Sequence, residues 1–271
     1  MGECGLLRMG YETGDKRRPR GAFPPRAAHA LERETHTMAF ETTDFRTAPA
    51  PVAGSQAARG FMAGVYRWMT FGLGVTGLVA WYMASNPQLL MRIMASGWVW
   101  GLFIAQLGLV IALSAAVNRL SFGVAALLFL GYAALTGVTF GTIFYVYTSG
   151  SIASAFFVTA GAFAGLSFYA STTKRDLSGW STFLFMCLIG VVIASVVQAF
   201  WPSPMLSFVT ACAGVVVFAG LTAYDTQRIR AMYLQTGGSI AALSIVGALK
   251  LYLDFINLFL MLLRLFGSRR N

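Results

Sequence analysis

Beyond residue 60 the chain is a succession of apolar runs, at about 64–85, 97–117, 122–147, 152–171, 180–201, 205–225 and 241–266. Each has roughly 20 residues or more, enough to cross a ~30 Å hydrocarbon core as an α-helix. Open strands would leave backbone N–H and C=O groups unpaired in lipid. The runs therefore predict an all-α polytopic membrane protein with seven transmembrane helices. Trp68, Trp81, Trp98, Trp100, Tyr145, Tyr147, Trp180 and Trp201 gather at run ends, as an interfacial aromatic belt requires. Composition agrees: 57% of residues are apolar and 11% charged, where a soluble domain carries about 25% charged residues. The lipid bilayer is the partner such a surface requires.

Residues 1–58 read as a disordered, basic, Pro/Ala-rich cytoplasmic tail, and 59–271 as the membrane domain. The tail has no apolar h-region, so it does not read as a secretory signal. Its acidic residues argue against an organellar transit peptide, and Met38 is a candidate start of the native chain. The formal charge of +10 does not indicate a nucleic-acid partner. Most basic residues sit in the tail and in short gaps, where they set topology. The tail, Arg119, Lys174-Arg175 and Arg228/Arg230 mark the cytoplasmic side; the first gap carries only Arg92. The neutral turns Thr148-Ser149-Gly150 and Pro202-Ser203-Pro204 mark the other side. Seven full crossings put Arg269-Arg270 outside, against the rule, whereas a re-entrant last segment would keep them inside. Full crossings are the preferred reading. Gly137-x-x-x-Gly141 and Gly161-x-x-x-Gly165 are expected to let helices approach closely.

The cysteines, Cys4, Cys187 and Cys212, show no disulfide or metal-ligand spacing. Both histidines, His29 and His36, lie in the tail, which excludes histidine-dependent zinc sites and Ser/His catalysis within the membrane. After Arg46 the acidic residues are Asp176, Asp225 and Asp254. Asp176 follows Lys174-Arg175 in a loop and reads as solvated. Asp225 and Asp254 lie in the last two apolar runs, where a charge costs on the order of 2.5–3.5 kcal/mol at the helix centre and marks an ion or proton pathway by default. Asp225 is about 21 residues after Pro204, roughly 31 Å along a helix and so near the cytoplasmic edge. Asp254 is about 12 residues before Phe266, roughly 18 Å from that end and deeper. Lys250, Asp254, Asn257, Met261 and Arg264 recur at helical spacing. They make a mostly polar stripe that predicts a last helix enclosed by others. The plainer alternative is structural: Lys250 pairs with Asp254 one turn away, and Asp225 pairs with Arg228 or Arg119 or sits at the interface.

Gly220-Leu221-Thr222-Ala223-Tyr224-Asp225-Thr226-Gln227 resembles a signature of the Bax inhibitor-one family, as does the stretch from Ala248-Leu249-Lys250-Leu251-Tyr252-Leu253-Asp254 through Phe255-Ile256-Asn257-Leu258-Phe259. The resemblance spans about residues 60–271, and the compact loops are most like the bacterial branch, which places the chain in an inner membrane. It implies seven helices with the last one wrapped by the other six, and a pH-sensitive calcium or cation leak sensed by Asp225 and Asp254. It also implies a basic latch at the end of the second helix, for which Arg119 is the candidate, with Lys250 and Asn257 in support. Bacterial relatives are linked to a membrane-bound AAA protease as modulators. Two carboxylates in one low-dielectric site cannot both ionise cheaply, so the pair is expected to titrate as a unit. Sharing a proton, it would hold the last two helices together; fully ionised, it would repel itself or take a cation. Calcium prefers several oxygens, so two carboxylates make a weak, transient site. No cofactor and no enzymatic activity are expected.

Other classes fit less well. An intramembrane aspartyl protease would match Tyr224-Asp225 but needs Gly-x-Gly-Asp where Leu251-Tyr252-Leu253-Asp254 stands. A retinal protein needs a lysine deep in the last helix and a counter-ion in the third run; Lys250 lies near the start of its helix and 122–147 carries no carboxylate. A non-conducting regulator of a membrane-bound protease, with the aspartates as a structural clasp, is the runner-up.

Overall fold

A computed structural model describes residues 50–115, 119–237 and 242–270. The tail reading for 1–49, with its candidate start at Met38, lies outside the described residues. The described helices are α1 (Ala50–Ser85), α2 (Pro87–Ala95), α3 (Trp98–Ala115), α4 (Phe122–Phe140), α5 (Ile143–Val146), α6 (Ser149–Thr172), α7 (Ser181–Phe200), α8 (Pro204–Thr236) and α9 (Leu243–Phe266). A 3₁₀ turn, Ser178–Trp180, leads into α7. No strand occurs among the described residues. The helices start where the sequence supplies caps. Ser121, Thr148 and Ser203 accept the N–H of Val124, Ser151 and Leu206 respectively, satisfying donors a first turn leaves free.

Six segments are long and apolar enough to cross a membrane: Trp98–Ala115, Phe122–Val146, Ser149–Thr172, Ser178–Phe200, Pro204–Thr236 and Leu243–Phe266. The protein is thus an all-helical integral membrane protein. The first run, expected as a seventh span, falls outside this set because Thr70, Gly72, Gly74, Thr76 and Gly77 dilute its hydropathy. Its helix begins at Ala50. Pro51 falls in the first turn, where its missing N–H is tolerated, and the following Ala-rich stretch carries the helix on to a fully buried Ala58.

α9 is the centre of the molecule. In its apolar window 78% of residues are buried, against 6% in α3. α1, α4, α6 and α8 pack around it and α3 touches it. Val191 of α7 joins Leu258, Met261 and Leu262 in one core cluster. The fully buried Tyr252 sits edge-on to Phe129 and Tyr132, at 5.7 and 5.8 Å between ring centroids. Its hydroxyl lies 2.7 Å from Thr76 Oγ1, which donates to the Ala133 carbonyl at 2.8 Å. One set of hydrogen bonds thus ties α9, α1 and α4 where no water competes.

The two glycine pairs behave differently. A Cβ on Gly137 or Gly141 would lie 2.6 Å from the Cβ of Val79 or Met83, so this pair sets the α1–α4 approach. Gly161 and Gly165 have nothing within 4 Å and face outward, so the second pair is not a helix contact. The spacing alone does not reveal which side of α6 is covered.

α8 does not stop at Asp225, where its apolar run ends. It continues to Thr236 and terminates on Gly237, whose φ of 59° is left-handed. Arg228 and Arg230 are thus helical residues rather than parts of a gap. Polarity ends a span but not a helix; a residue free to adopt positive φ does. At this end Gln227 bridges the Arg175 carbonyl (2.8 Å) and the Leu177 N–H (3.0 Å). α9 runs unbroken to Phe266. Its end pairs with the Thr148 turn: Thr148 N–H donates to the Ser268 carbonyl at 3.2 Å and Arg270 N–H to the Val146 carbonyl at 2.9 Å. Arg269-Arg270 therefore lie at the opposite end of the bundle from Lys174-Arg175.

Candidate functional site

Two helical faces build the site. On α8, Tyr224, Asp225 and Arg228 occupy successive positions around one turn. On α9, Lys250, Asp254 and Asn257 recur at i, i+4 and i+7. All six line one open cavity of about 690 Å³, together with Ser114 of α3 and Ser181 and Thr182 of α7. The stripe predicted on α9 divides by position. Lys250, Asp254 and Asn257 face the cavity, Met261 is buried against Gly214, and Arg264 is exposed at the far end.

Lys250 Nζ lies 3.6 Å from Asp225 Oδ1, an ion pair between α9 and α8. The Asp225 side chain is 13% exposed and that of Lys250 35%. Lys250 does not pair with Asp254, and Asp225 does not pair with Arg119. The single-helix pairing fails because the close contact of α8 with α9 brings Asp225 within reach of the ammonium. Arg119 is exposed in the α3–α4 connection, two residues before the Ser121 cap, and makes no ion pair among the described residues.

Asp254 is 6% exposed, and its Oδ2 has no hydrogen-bond partner. The Asp225 and Lys250 charges both act on it. A buried carboxylate oxygen with no partner is costly. This one persists at the floor of a cavity rather than in a sealed core. Asn257 Nδ2 donates to the Leu253 carbonyl of its own helix at 2.8 Å, which leaves its amide oxygen available. Among the described residues no three His, Cys, Asp or Glu side chains converge. Any cation held here would have two carboxylates plus neutral oxygens from hydroxyls and Asn257, well short of a high-affinity calcium cage.

Sequence reasoning missed the role of Tyr224 with Arg228. Arg228 Nη1 donates to Tyr224 Oη at 2.8 Å, with the guanidinium carbon 5.9 Å from the ring centroid. Both residues also line a second cleft of about 500 Å³ formed with Lys174, Arg175, Asp176 and Gln227. The pair is thus a partition between this basic cleft and the carboxylate cavity. Its i, i+4 spacing was a legible signal; the cleft on its far side was not. In that cleft Asp176 accepts the N–H and hydroxyl of Ser178, both at 2.8 Å. These bonds hold its carboxyl below the usual range.

The fold and the site define a polytopic helical membrane protein whose last two helices are joined by an ion pair beside a buried carboxylate. Residues 58–271 match the family described as "Inhibitor of apoptosis-promoting Bax1", and the chain belongs to this Bax inhibitor-1 family. The inner membrane protein YbhL of Escherichia coli K12 is 53% identical over 226 residues, covering 81% of this chain and 95% of that protein. An uncharacterized protein of Borreliella burgdorferi is 45% identical over 78% of this chain and 93% of its own length. An uncharacterized membrane protein of Streptococcus pyogenes is 37% identical over 76% and 92%.

Proposed function

We propose that this protein is a pH-sensitive calcium (cation) leak of a bacterial inner membrane, gated by Asp225 and Asp254. The observation that carries the reading is the unpartnered Asp254 Oδ2 on a cavity floor beside the Asp225–Lys250 ion pair. α1 serves as the seventh span, the N-terminus is cytoplasmic, and the inner-membrane placement rests on the name of the E. coli relative and on the apolar helices.

The clasp is the Lys250–Asp225 pair rather than a proton shared by the two aspartates. It fails in two ways. A proton on Asp225 removes its attraction for Lys250, and a divalent cation between Asp225 and Asp254 displaces the ammonium. Either event loosens α8 from α9. Acidification therefore opens the path, Asp254 supplies carboxyl oxygens to a passing cation, and the Tyr224–Arg228 partition is the step toward the cytoplasmic cleft. Two carboxylates with few neutral oxygens bind calcium weakly, which suits passage rather than storage.

The runner-up is a non-conducting regulator of a membrane-bound protease, favoured by Lys250 neutralising Asp225 as a purely structural clasp would. Calcium uptake into liposomes that contain only the purified protein separates the two. The leak predicts uptake above that of protein-free liposomes, lost in Asp254→Asn. Uptake at the protein-free level for wild type sinks the leak and leaves the regulator.

A further inference from the structure

α1 and α6 flank an apolar groove of about 320 Å³ whose floor is α9. Gly77 and Ala80 line one wall, Ala153 and Phe156 the other, and Phe255 and Phe259 the floor. Small residues on both walls make it a slot rather than a smooth helix contact. Its buried hydroxyl, Thr76, is already committed to Tyr252 and Ala133. Water would find no free partner here, and an empty slot would forfeit dispersion contacts along its whole lining. With α1 as the seventh span, a reading carried over from the proposed function, the slot opens to hydrocarbon, so an acyl chain is the occupant with the right chemistry.

Ser149 lines the slot with Ile143 and Phe144, and the adjoining Val146–Thr148 backbone is paired with Ser268–Arg270. Ser268 N–H also donates to Ser151 Oγ at 2.9 Å. The pairing holds the Arg269 and Arg270 backbone beside the turn that leads into Ser149, and both residues are exposed. The Thr148-Ser149-Gly150 turn carries no charge of its own, so the Ser268–Arg270 segment paired beside it brings basic residues to that end. Ser149 begins α6, whose dipole adds partial positive charge at the same place.

We propose that the groove binds one anionic phospholipid, with an acyl chain between α1 and α6 and its phosphate on Arg269 and Arg270. The site lies at the other end of the bundle from the Lys174-Arg175 cleft and does not depend on ion conduction.

The test is native mass spectrometry of the purified full chain, titrated with phosphatidylglycerol or with phosphatidylcholine of the same acyl chains. Wild type is expected to retain one phosphatidylglycerol, with preference over phosphatidylcholine on the order of tenfold from two membrane-facing arginines. Arg269→Gln with Arg270→Gln leaves the backbone pairing intact and is expected to abolish the preference while phosphatidylcholine binding stays as it was. Gly77→Leu fills the slot from a position where a Cβ meets nothing within 4 Å, and is expected to lose both lipids. Ala153→Leu fills it from the opposite wall should the first variant not fold. Equal retention of the two lipids by wild type, or wild-type retention of phosphatidylglycerol in a folded slot-filling variant, would overturn the proposal.

Discussion

Gly137→Ala isolates what the α1–α4 approach contributes. A Cβ at 137 would lie 2.6 Å from Val79 Cβ and 2.8 Å from the Thr76 carbonyl oxygen. One neighbour is itself a Cβ and the other is backbone, so no flexible side-chain end can swing aside; the two helices must separate. Overpacking of this kind costs about 1–3 kcal/mol. The gain in helix propensity from Gly to Ala returns at most ~1 kcal/mol. Separation at Thr76 also stretches its hydrogen bonds to Ala133 and Tyr252, together another ~1 kcal/mol. The net loss is about 1–3 kcal/mol, which at roughly 2–4 °C per kcal/mol for a domain of this size lowers the melting midpoint by about 2–12 °C. Thermal unfolding of the purified protein in detergent, followed by tryptophan fluorescence, measures it. Gly161→Ala is the matched control, since nothing lies within 4 Å of its added Cβ. It is expected to melt at or slightly above the wild-type midpoint. A Gly137→Ala midpoint at or above wild type, or an equal fall in Gly161→Ala, would refute the reasoning.

Lys250→Met removes the ammonium that faces Asp225 at 3.6 Å. The expected cost at neutral pH is about 1–3 kcal/mol, between an exposed pair and a fully buried one because Lys250 is half-buried; Lys250→Arg should recover most of it in the same melting assay. Asp176→Ala removes the acceptor for the Ser178 N–H and hydroxyl. Because these bonds depress the Asp176 carboxyl, their contribution is present above the ordinary aspartate value of about 3.9 and fades as pH falls through the lower folded one. Protection of the Ser178 amide against hydrogen exchange, relative to its intrinsic rate, should follow that course in wild type and be absent at every pH in the variant.

Length and charge content were enough to read most of the bundle, because a run of uncharged apolar residues admits few structures in lipid. They misplaced its boundaries for a physical reason. α8 outlasts its apolar run at Asp225 because helices end at groups such as Gly237, not at the first polar residue. α1 starts before its apolar run because alanine favours helix regardless of burial. Of the candidate site, the residues that line the cavity were legible but their pairings were not. Asp225, Asp254, Lys250 and Asn257 were marked by cost and periodicity, and they do line one cavity. Lys250 pairs across helices with Asp225 rather than along its own with Asp254, and helical spacing carries no information about a neighbour's register. The same holds for the glycine pairs, of which only Gly137 and Gly141 meet another helix.

The claim that the Asp225–Lys250 pair is the pH-sensitive clasp is tested most directly by calcium uptake into proteoliposomes across a pH series, comparing wild type with Asp225→Asn. The account predicts wild-type uptake that rises on acidification and variant uptake that is high and flat, since an amide at 225 cannot hold Lys250 at any pH. A variant that keeps the wild-type pH response would contradict it.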